Sequence, residues 1–181
     1  MIKTTKRDLE IIALLNKLKV LSSTQLQRLF FNGHSSHQSR RCKQLVNHKK
    51  IKVYRKSVYE ENIYYLKSKP RQQEKSMLLL SEFYTQLIVN EINVVDIKRE
   101  YTIEKIRADA FITIEKDGFY FDYLIEVDLT HWNGLKYLKV EQSLPPIISI
   151  SPYKRSYPKE LEVYYVNKDF SNLCDLLSML C

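Results

Sequence analysis

The sequence predicts an α+β protein of two modules, a helical module at the amino end followed by an α/β module with a mixed sheet. Three observations support this prediction. Residues 1–67 carry 15 Lys and Arg against 4 Asp and Glu, whereas residues 68–181 carry 14 against 17. Capped amphipathic helices dominate the first stretch, and strands that alternate with helices dominate the second. The change in charge therefore coincides with a change in secondary structure.

The composition is that of a globular protein, because 44% of the 181 residues are hydrophobic and 12% are aromatic. Three Gly and five Pro leave little room for a long flexible linker. We expect a first domain at residues 1–67, a linker at 68–75 and a second domain at 76–181. A polar, lysine-rich amino end and the lack of a long apolar run indicate a cytoplasmic protein without a membrane span.

The cysteines are too few and too scattered for a disulfide framework, which is consistent with a reducing compartment. Cys174 and Cys181 lie in an apolar stretch, so we expect buried thiols. The histidines and the cysteine of residues 34–48 lack the paired spacing of a zinc site, and we interpret them as surface side chains around one core thiol.

Three helices are predicted in the first module. Thr5 can cap a helix that ends near Lys19, and the serines before Thr24 can cap a short helix that ends at Phe31. The Asn-Gly pair that follows breaks this helix. Ser35 can then cap a third helix over residues 36–49.

The third helix has one narrow apolar stripe, formed by Cys42, Leu45 and Val46. Polar and basic side chains lie opposite that stripe and on its flanks. Gln and Asn can pair bidentately with adenine and Arg with guanine, while flanking cations can meet phosphates. The alternative is an ordinary solvated helix face. The side chains of this helix that we expect to contact DNA are Ser36, His37, Arg40, Arg41, Lys43, Gln44 and Asn47.

Two β-rich runs follow the third helix, Ile51 to Tyr54 and Asn62 to Leu66. Three helices followed by a hairpin indicate a winged helix-turn-helix. Arg55 and Lys56 would then lie at the tip of the wing, where they could contact the DNA backbone or the minor groove. Net positive charge in such a module favours a polyanion as its partner, and the alternative is charge that serves solubility alone.

The second module begins with a predicted helix from Ser76 to Asn90 that is apolar over a broad face, a candidate for a domain or dimer interface. Asp117-Gly118 predicts a two-residue hairpin turn. A helix from Thr130 or Trp132 to Ser143 and a last helix from about Phe170 complete an α/β sandwich with a mixed sheet. The predicted strands are Val94 to Glu100, Ala108 to Glu115, Phe119 to Asp128, Pro146 to Ile150 and Leu161 to Val166.

Acidic residues follow a recognisable pattern in these strands. Arg107-Ala-Asp109-Ala precedes the hairpin, Leu124-Ile-Glu126-Val-Asp128 follows it, and Lys136 and Lys139 come next. This pattern resembles the core of the PD-(D/E)XK, or restriction-endonuclease-like, superfamily. The whole chain resembles the replication-relaxation family of plasmids and mobile elements, in which a winged helix precedes such a core.

The resemblance implies that Asp109 and Glu126 could hold Mg²⁺ for phosphodiester cleavage. Asp128 stands where the superfamily has its catalytic lysine, so Lys136 or Lys139 would have to supply the ammonium group. The candidate catalytic residues are Asp109, Glu126, Asp128 and Lys139. The alternative is a structural cluster, paired with Arg107 or a lysine, in a core without catalysis. The negative charge of the second module favours this alternative.

Three functions follow as hypotheses. The first is sequence-specific binding of double-stranded DNA in replication, relaxation or transcription control of a mobile element, by a homodimer without a cofactor or a small-molecule substrate. The second is a Mg²⁺-dependent endonuclease that the winged helix directs to DNA. The third is an adaptor whose winged helix binds another protein.

Overall fold

The computed structural model describes residues 3–70, 73–130, 134–140 and 143–180, with only the backbone for residue 180. It is a mixed α+β structure with two compact units, Met1–Val89 and Asn90–Cys181. The predicted α+β class and mixed sheet are confirmed. No helix within the described ranges has the length and apolar character that crossing a bilayer requires.

The first unit begins with two helices whose starts the sequence predicts. The Thr5 side chain caps α1 in a reciprocal pair with Asp8, and Ser22 and Gln25 form the same capping box at α2. Positive φ angles at Asn32 and Gly33 end α2. The elements of this unit are α1 (Lys6–Leu18), β1 (Val20–Ser22), α2 (Ser23–Phe30), α3 (Ser35–Asn47), β2 (Lys52–Tyr54), β3 (Ile63–Tyr65) and α4 (Glu74–Val89).

Helix α3 differs from its prediction at both ends. Ser35 is its first residue rather than its cap, and His34 precedes it without a side-chain capping bond. The helix ends at Asn47, two residues before the predicted end. These shifts leave the relative directions of its side chains unchanged, because the helical repeat is the same.

The predicted hairpin forms, and a third strand joins it. Strands β2 and β3 pair antiparallel, and β1 pairs with the other edge of β3, so the sheet order is β1-β3-β2. The sequence predicts no strand between the first two helices. Val20 and Leu21 are fully buried in this strand, which ties the start of α2 to the hairpin.

Helix α4 belongs to the first unit, although the sequence prediction assigned it to the second domain. Its Ser81 hydroxyl donates to the Val20 carbonyl at 2.7 Å, and the Gln25 amide donates to the Leu78 carbonyl at 3.2 Å. The helix begins at Glu74, inside the predicted linker, and residues 71 and 72 lie outside the described part. The division of the chain therefore falls between Val89 and Asn90.

The second unit contains a five-stranded sheet of order β4-β5-β6-β7-β8. Strands β4 to β6 are antiparallel, whereas β6, β7 and β8 run parallel. The hairpin turn at Asp117 and Gly118 has the two positive φ angles that its sequence predicts. The elements are β4 (Asn93–Ile103), β5 (Ile106–Lys116), β6 (Phe119–Val127), a 3₁₀-helix (Gly134–Lys139), β7 (Ile147–Ser151), β8 (Val163–Asn167) and α5 (Leu173–Leu180).

The two helical predictions in this unit are only partly correct. Between β6 and β7 the described residues contain a short 3₁₀-helix instead of an α-helix, and residues 131–133 and 141–142 lie outside the description. The last helix starts at Leu173, because Phe170 has a positive φ angle and ends a turn. Alternate residues of β5, from Ala108 to Ile114, are buried as expected of a core strand.

Candidate nucleic-acid interface and the carboxylate cluster

Helix α3 is anchored by one side. Cys42 and Leu45 are fully buried, and Gln38 is only 2% exposed. The Gln38 amide donates to the Cys42 sulfur and to the Tyr64 hydroxyl, both at 3.4 Å. Sequence reasoning missed Gln38, although its position one turn before Cys42 places it on the inward stripe. The anchor therefore combines apolar packing with a buried hydrogen bond to β3.

The opposite side of α3 is open to solvent, as the sequence predicts. Because these side chains point away from the anchored stripe, the helix presents hydrogen-bonding and cationic groups in one row. No ion pair within the described part of the chain engages Arg40 or Lys43. The predicted interface residues that are exposed on this helix are Ser36, His37, Arg40, Lys43, Gln44 and Asn47.

Arg41 differs from its neighbours because it is held inside the unit. Its Nε donates to Asp8 Oδ1 at 2.9 Å, and a second guanidinium nitrogen donates to Asp8 Oδ2. Asp8 is fully buried, and the Arg41 hydrogen bonds lower its pKa to about 2. Arg41 was predicted to contact a phosphate; instead, the structure places it in the contact that joins α3 to α1. It also donates to the Lys3 carbonyl and to Gln44 Oε1, both at 2.9 Å, and the second of these bonds orients the Gln44 amide.

The loop between β2 and β3 contains the two cations predicted at the wing tip. Arg55 is exposed, and its Nε donates to Asn62 Oδ1 at 3.1 Å across the base of the loop. Lys56 forms an ion pair with Glu74 at 2.6 Å, and this hydrogen bond raises the lysine pKa. Tyr59 is 96% exposed at the tip, a feature that sequence reasoning missed. An aromatic residue within a short charged turn is the signal that could have identified it.

Neither of the two described cysteines belongs to a metal site. Burial raises the pKa of the Cys42 thiol to about 11, so it is an inert core group. Cys174 is exposed, against the expectation of burial, and Cys181 lies outside the described residues. In the described ranges, no group of three or more His, Cys, Asp or Glu side chains could hold a metal ion.

The second unit brings the predicted carboxylates to one end of the sheet. Asp109 on β5 accepts the Val127 backbone N–H at 2.8 Å. Glu126, on β6, is paired in register with Ser149 of β7, so their side chains share one face of the sheet. Glu126 and Asp128 are 6% and 7% exposed. Glu126 and Asp128 are thus buried polar groups, and Asp109 beside them is half-buried.

Glu126 is the centre of this cluster. Its Oε1 lies 2.6 Å from the Lys136 Nζ and also accepts the Tyr137 hydroxyl. Burial nevertheless raises the pKa of Glu126 to about 7, because the loss of hydration outweighs these two partners. Lys136 donates a further bond to the Arg107 carbonyl at 2.8 Å. Lys139, the predicted catalytic lysine, is exposed, so Lys136 is the lysine that reaches the cluster.

Asp128 has its own partners. It accepts the Tyr157 hydroxyl at 3.0 Å, and that hydroxyl lies 3.3 Å from the buried Ser149 hydroxyl. Burial raises the pKa of Asp128 as well. Sequence reasoning missed both tyrosines and Ser149, because these residues lie outside the predicted motif and nothing in their spacing distinguishes them.

These side chains do not fit the Mg²⁺ site that the family resemblance implies. A magnesium ion needs ionised carboxylate oxygens that are free to coordinate it. Glu126 has its charge compensated by Lys136, its protonation favoured by burial, and one oxygen engaged by two donors. Asp109 has one oxygen committed to a backbone N–H. The arrangement instead resembles the structural cluster that was the alternative.

Comparisons with known proteins find no match to this chain among protein-family models, curated proteins or solved structures. The resemblance to the replication-relaxation family therefore stays a prediction.

Proposed function

We propose that this protein binds double-stranded DNA sequence-specifically, with α3 in the major groove. The observation that carries this proposal is the open side of α3, where Arg40, Gln44 and Asn47 are exposed on a helix whose other side is anchored. A rigid helix with amide and guanidinium groups in one row suits base edges, because bidentate hydrogen bonds require fixed donor positions.

The topology of the first unit supports a winged helix-turn-helix. Its element order is three helices followed by a hairpin, with the short strand β1 between the first two helices. Strand β1 pairs with the hairpin, so helices and sheet form one small unit. In this interpretation α2 and α3 are the helix-turn-helix, and the loop that contains Arg55 and Tyr59 is the wing.

The charge of this unit supports a polyanionic partner. The excess of Lys and Arg lies in residues 1–67, and Arg40 and Lys43 present exposed cations beside the amide side chains. Cations at the edge of a groove-reading helix attract phosphates and release counterions on binding. We further propose a role in replication, relaxation or transcription control of a plasmid or mobile element, which rests on the family resemblance alone.

Selection of bound DNA from a random pool tests the proposal first, because a recovered motif identifies the partner and its specificity together. Arg40→Ala should then cost about 1–3 kcal/mol of binding free energy at the selected site and relax the preference for one base. The matched control is Arg107→Ala, which removes an exposed arginine from the second unit. Equal loss of affinity on every sequence would reject base reading by Arg40.

A further inference from the structure

Arg41 holds the Gln44 side chain in one orientation. One terminal nitrogen of its guanidinium group donates to Gln44 Oε1 at 2.9 Å. Because an arginine side chain has donors only, the amide atom that faces it must be the oxygen. The two N–H groups of the Gln44 amide are therefore left for a partner, and no acceptor within the described part of the chain engages them.

The guanidinium group of Arg41 is itself fixed. Its Nε and its other terminal nitrogen donate to the two carboxylate oxygens of Asp8, and that second nitrogen also donates to the Lys3 carbonyl at 2.9 Å. Together with the bond to Gln44, these contacts engage four of the five N–H groups that an arginine has. Asp8 is fully buried, so the contacts that orient Gln44 begin in the core of the first unit.

Asn47 is a second amide on the open side of α3, and it has no such contact. It lies one turn after Gln44 and is exposed. Among the described residues, no donor occupies its side-chain oxygen. The Asn47 amide can therefore present an acceptor and a donor together, whereas the Gln44 oxygen is already bound to Arg41.

The purine bases differ in how they match a side chain that presents donors only. In the major groove guanine has two acceptors, N7 and O6, whereas adenine has an N7 acceptor beside an N6 donor. The Gln44 N–H groups can meet both guanine atoms, but opposite adenine they would leave an N6–H without its acceptor. Residue type alone does not show which half of the amide is free, and for that reason the sequence predicts adenine for a glutamine.

We infer that Gln44 reads guanine rather than adenine, and that Arg41 is the positioning residue that fixes this preference. The inference rests on the proposed binding of DNA by α3. Arg41 then determines base specificity without touching DNA, because it acts through the amide that lies three residues later.

Selection of bound DNA from a random pool, by the natural protein and by its variants, tests the inference. Gln44→Ala identifies the position that Gln44 reads, because the preference there should relax. The natural protein should select a G·C pair at that position by about 5- to 150-fold over A·T, the range of one good bidentate contact. In Arg41→Lys the preference should move to A·T, because one ammonium group cannot bind Asp8 and also hold Gln44.

Two controls separate the orientation of Gln44 from damage to α3. The positions that Gln44 does not read should keep their bases in Arg41→Lys. The double variant Arg41→Lys, Gln44→Lys should select G·C again, because lysine donates to guanine without needing to be oriented. Changes at the other positions, or a double variant that does not restore G·C, would overturn the inference, since Arg41 would then act through the packing of the helix.

The outcomes distinguish this inference from the proposed function. A pool from which no motif is recovered would overturn both. Three results would overturn the inference alone: a Gln44→Ala variant that relaxes no position, an A·T pair at the Gln44 position, and a G·C pair that Arg41→Lys leaves unchanged.

NMR relaxation of the natural protein without DNA tests the orientation directly and does not depend on the folding of a variant. The order parameter of the Gln44 side-chain amide should exceed that of the Asn47 amide, although glutamine has one more rotatable bond. An order parameter at Gln44 equal to or below that at Asn47 would overturn the inference, because Arg41 would then not hold the amide.

Discussion

Two buried acid–base pairs, one in each unit, behave in opposite ways. Asp8 and Arg41 lie in the first unit, Glu126 and Lys136 in the second, and each carboxylate is at most 6% exposed. The pKa of Asp8 is lowered to about 2, whereas that of Glu126 is raised to about 7. A neighbouring cation alone therefore does not determine which protonation state is stable.

The two carboxylates differ in the cause that dominates the pKa: for Glu126 it is the loss of hydration on burial, and for Asp8 it is the hydrogen bonds that reach the charged form. Asp8 accepts two bonds from Arg41 and two more from Thr5, whose N–H and hydroxyl lie 2.7 and 2.8 Å from Oδ2. Glu126 accepts bonds from Lys136 and Tyr137, and the nearby Asp109 charge opposes its ionisation. Four donors replace the lost hydration of Asp8, and two do not replace that of Glu126.

This contrast separates the roles of the two clusters. The Asp8 pair is fully ionised at neutral pH and fixes α3 against α1, which keeps the opposite side of α3 in a defined orientation. The Glu126 cluster is a buried network whose central acid gains a proton near neutrality. The Asp8–Arg41 pair suits a helix that must be held rigidly, and the Glu126 network suits a packed core.

The largest expected effect comes from removing Asp8, the acid whose charge accepts four hydrogen bonds. Asp8→Ala leaves Arg41 without its carboxylate and removes the α1 capping box, so unfolding free energy should fall by about 3–5 kcal/mol. Urea unfolding measures the loss, and hydrogen exchange of α1 amides assigns it to the first unit.

Glu10→Ala is the control for that variant, because Glu10 pairs with Lys6 on the same helix but is 49% exposed. Its effect should stay within about 0.5 kcal/mol. Equal losses for the two variants would mean that the Asp8 pair has no special role in the stability of the unit.

The pH dependence of stability should have opposite signs for the two acids. Asp8, with a lowered pKa, contributes stability above about pH 4, and this contribution of about 2 kcal/mol is lost as the pH falls to about 2. Glu126, with a raised pKa, holds a proton that the unfolded chain has released. Unfolding free energy should therefore fall by about 3 kcal/mol as the pH rises from 4.5 to about 7.

Glu126→Gln isolates the second effect, because an amide cannot ionise but can still accept the Lys136 bond. The fall in stability between pH 4.5 and 7 should disappear in this variant. Glu162→Gln, an exposed acid of the same unit, should retain it. A slope that persists in Glu126→Gln would contradict the raised pKa of Glu126.

The sequence predicts best what local chemistry determines. Thr5 and Ser22 identify helix starts because a cap is a bond within four residues, and Asp117-Gly118 identifies its hairpin for the same reason. Strand β1 escaped prediction because three residues carry no periodicity and its partner β3 lies some 40 residues later. The exposed side of α3 was predictable because the helical repeat determines which residues lie opposite its apolar stripe.

The candidate sites were less predictable where they depend on distant partners. Arg41 is indistinguishable from Arg40 in sequence, yet only Arg41 reaches Asp8, 33 residues earlier. The choice between Lys136 and Lys139 depended on a predicted α-helix, whereas the residues form a 3₁₀-helix with a different angular spacing.

The smallest expected effect contrasts two cations of α3 that lie two residues apart. Lys43→Ala should lower the slope of log affinity against log salt by about 0.9, because one phosphate contact is lost, and should leave unfolding free energy unchanged. Arg41→Lys should leave the salt slope unchanged and lower the unfolding free energy, because lysine keeps the charge but cannot form the bidentate bond to Asp8. Lys139→Ala, an exposed lysine of the second unit, should change neither quantity. If Arg41→Gln, which removes the charge that Arg41→Lys keeps, lowers the salt slope by about 0.9, Arg41 contacts DNA and its bond to Asp8 opens in the complex.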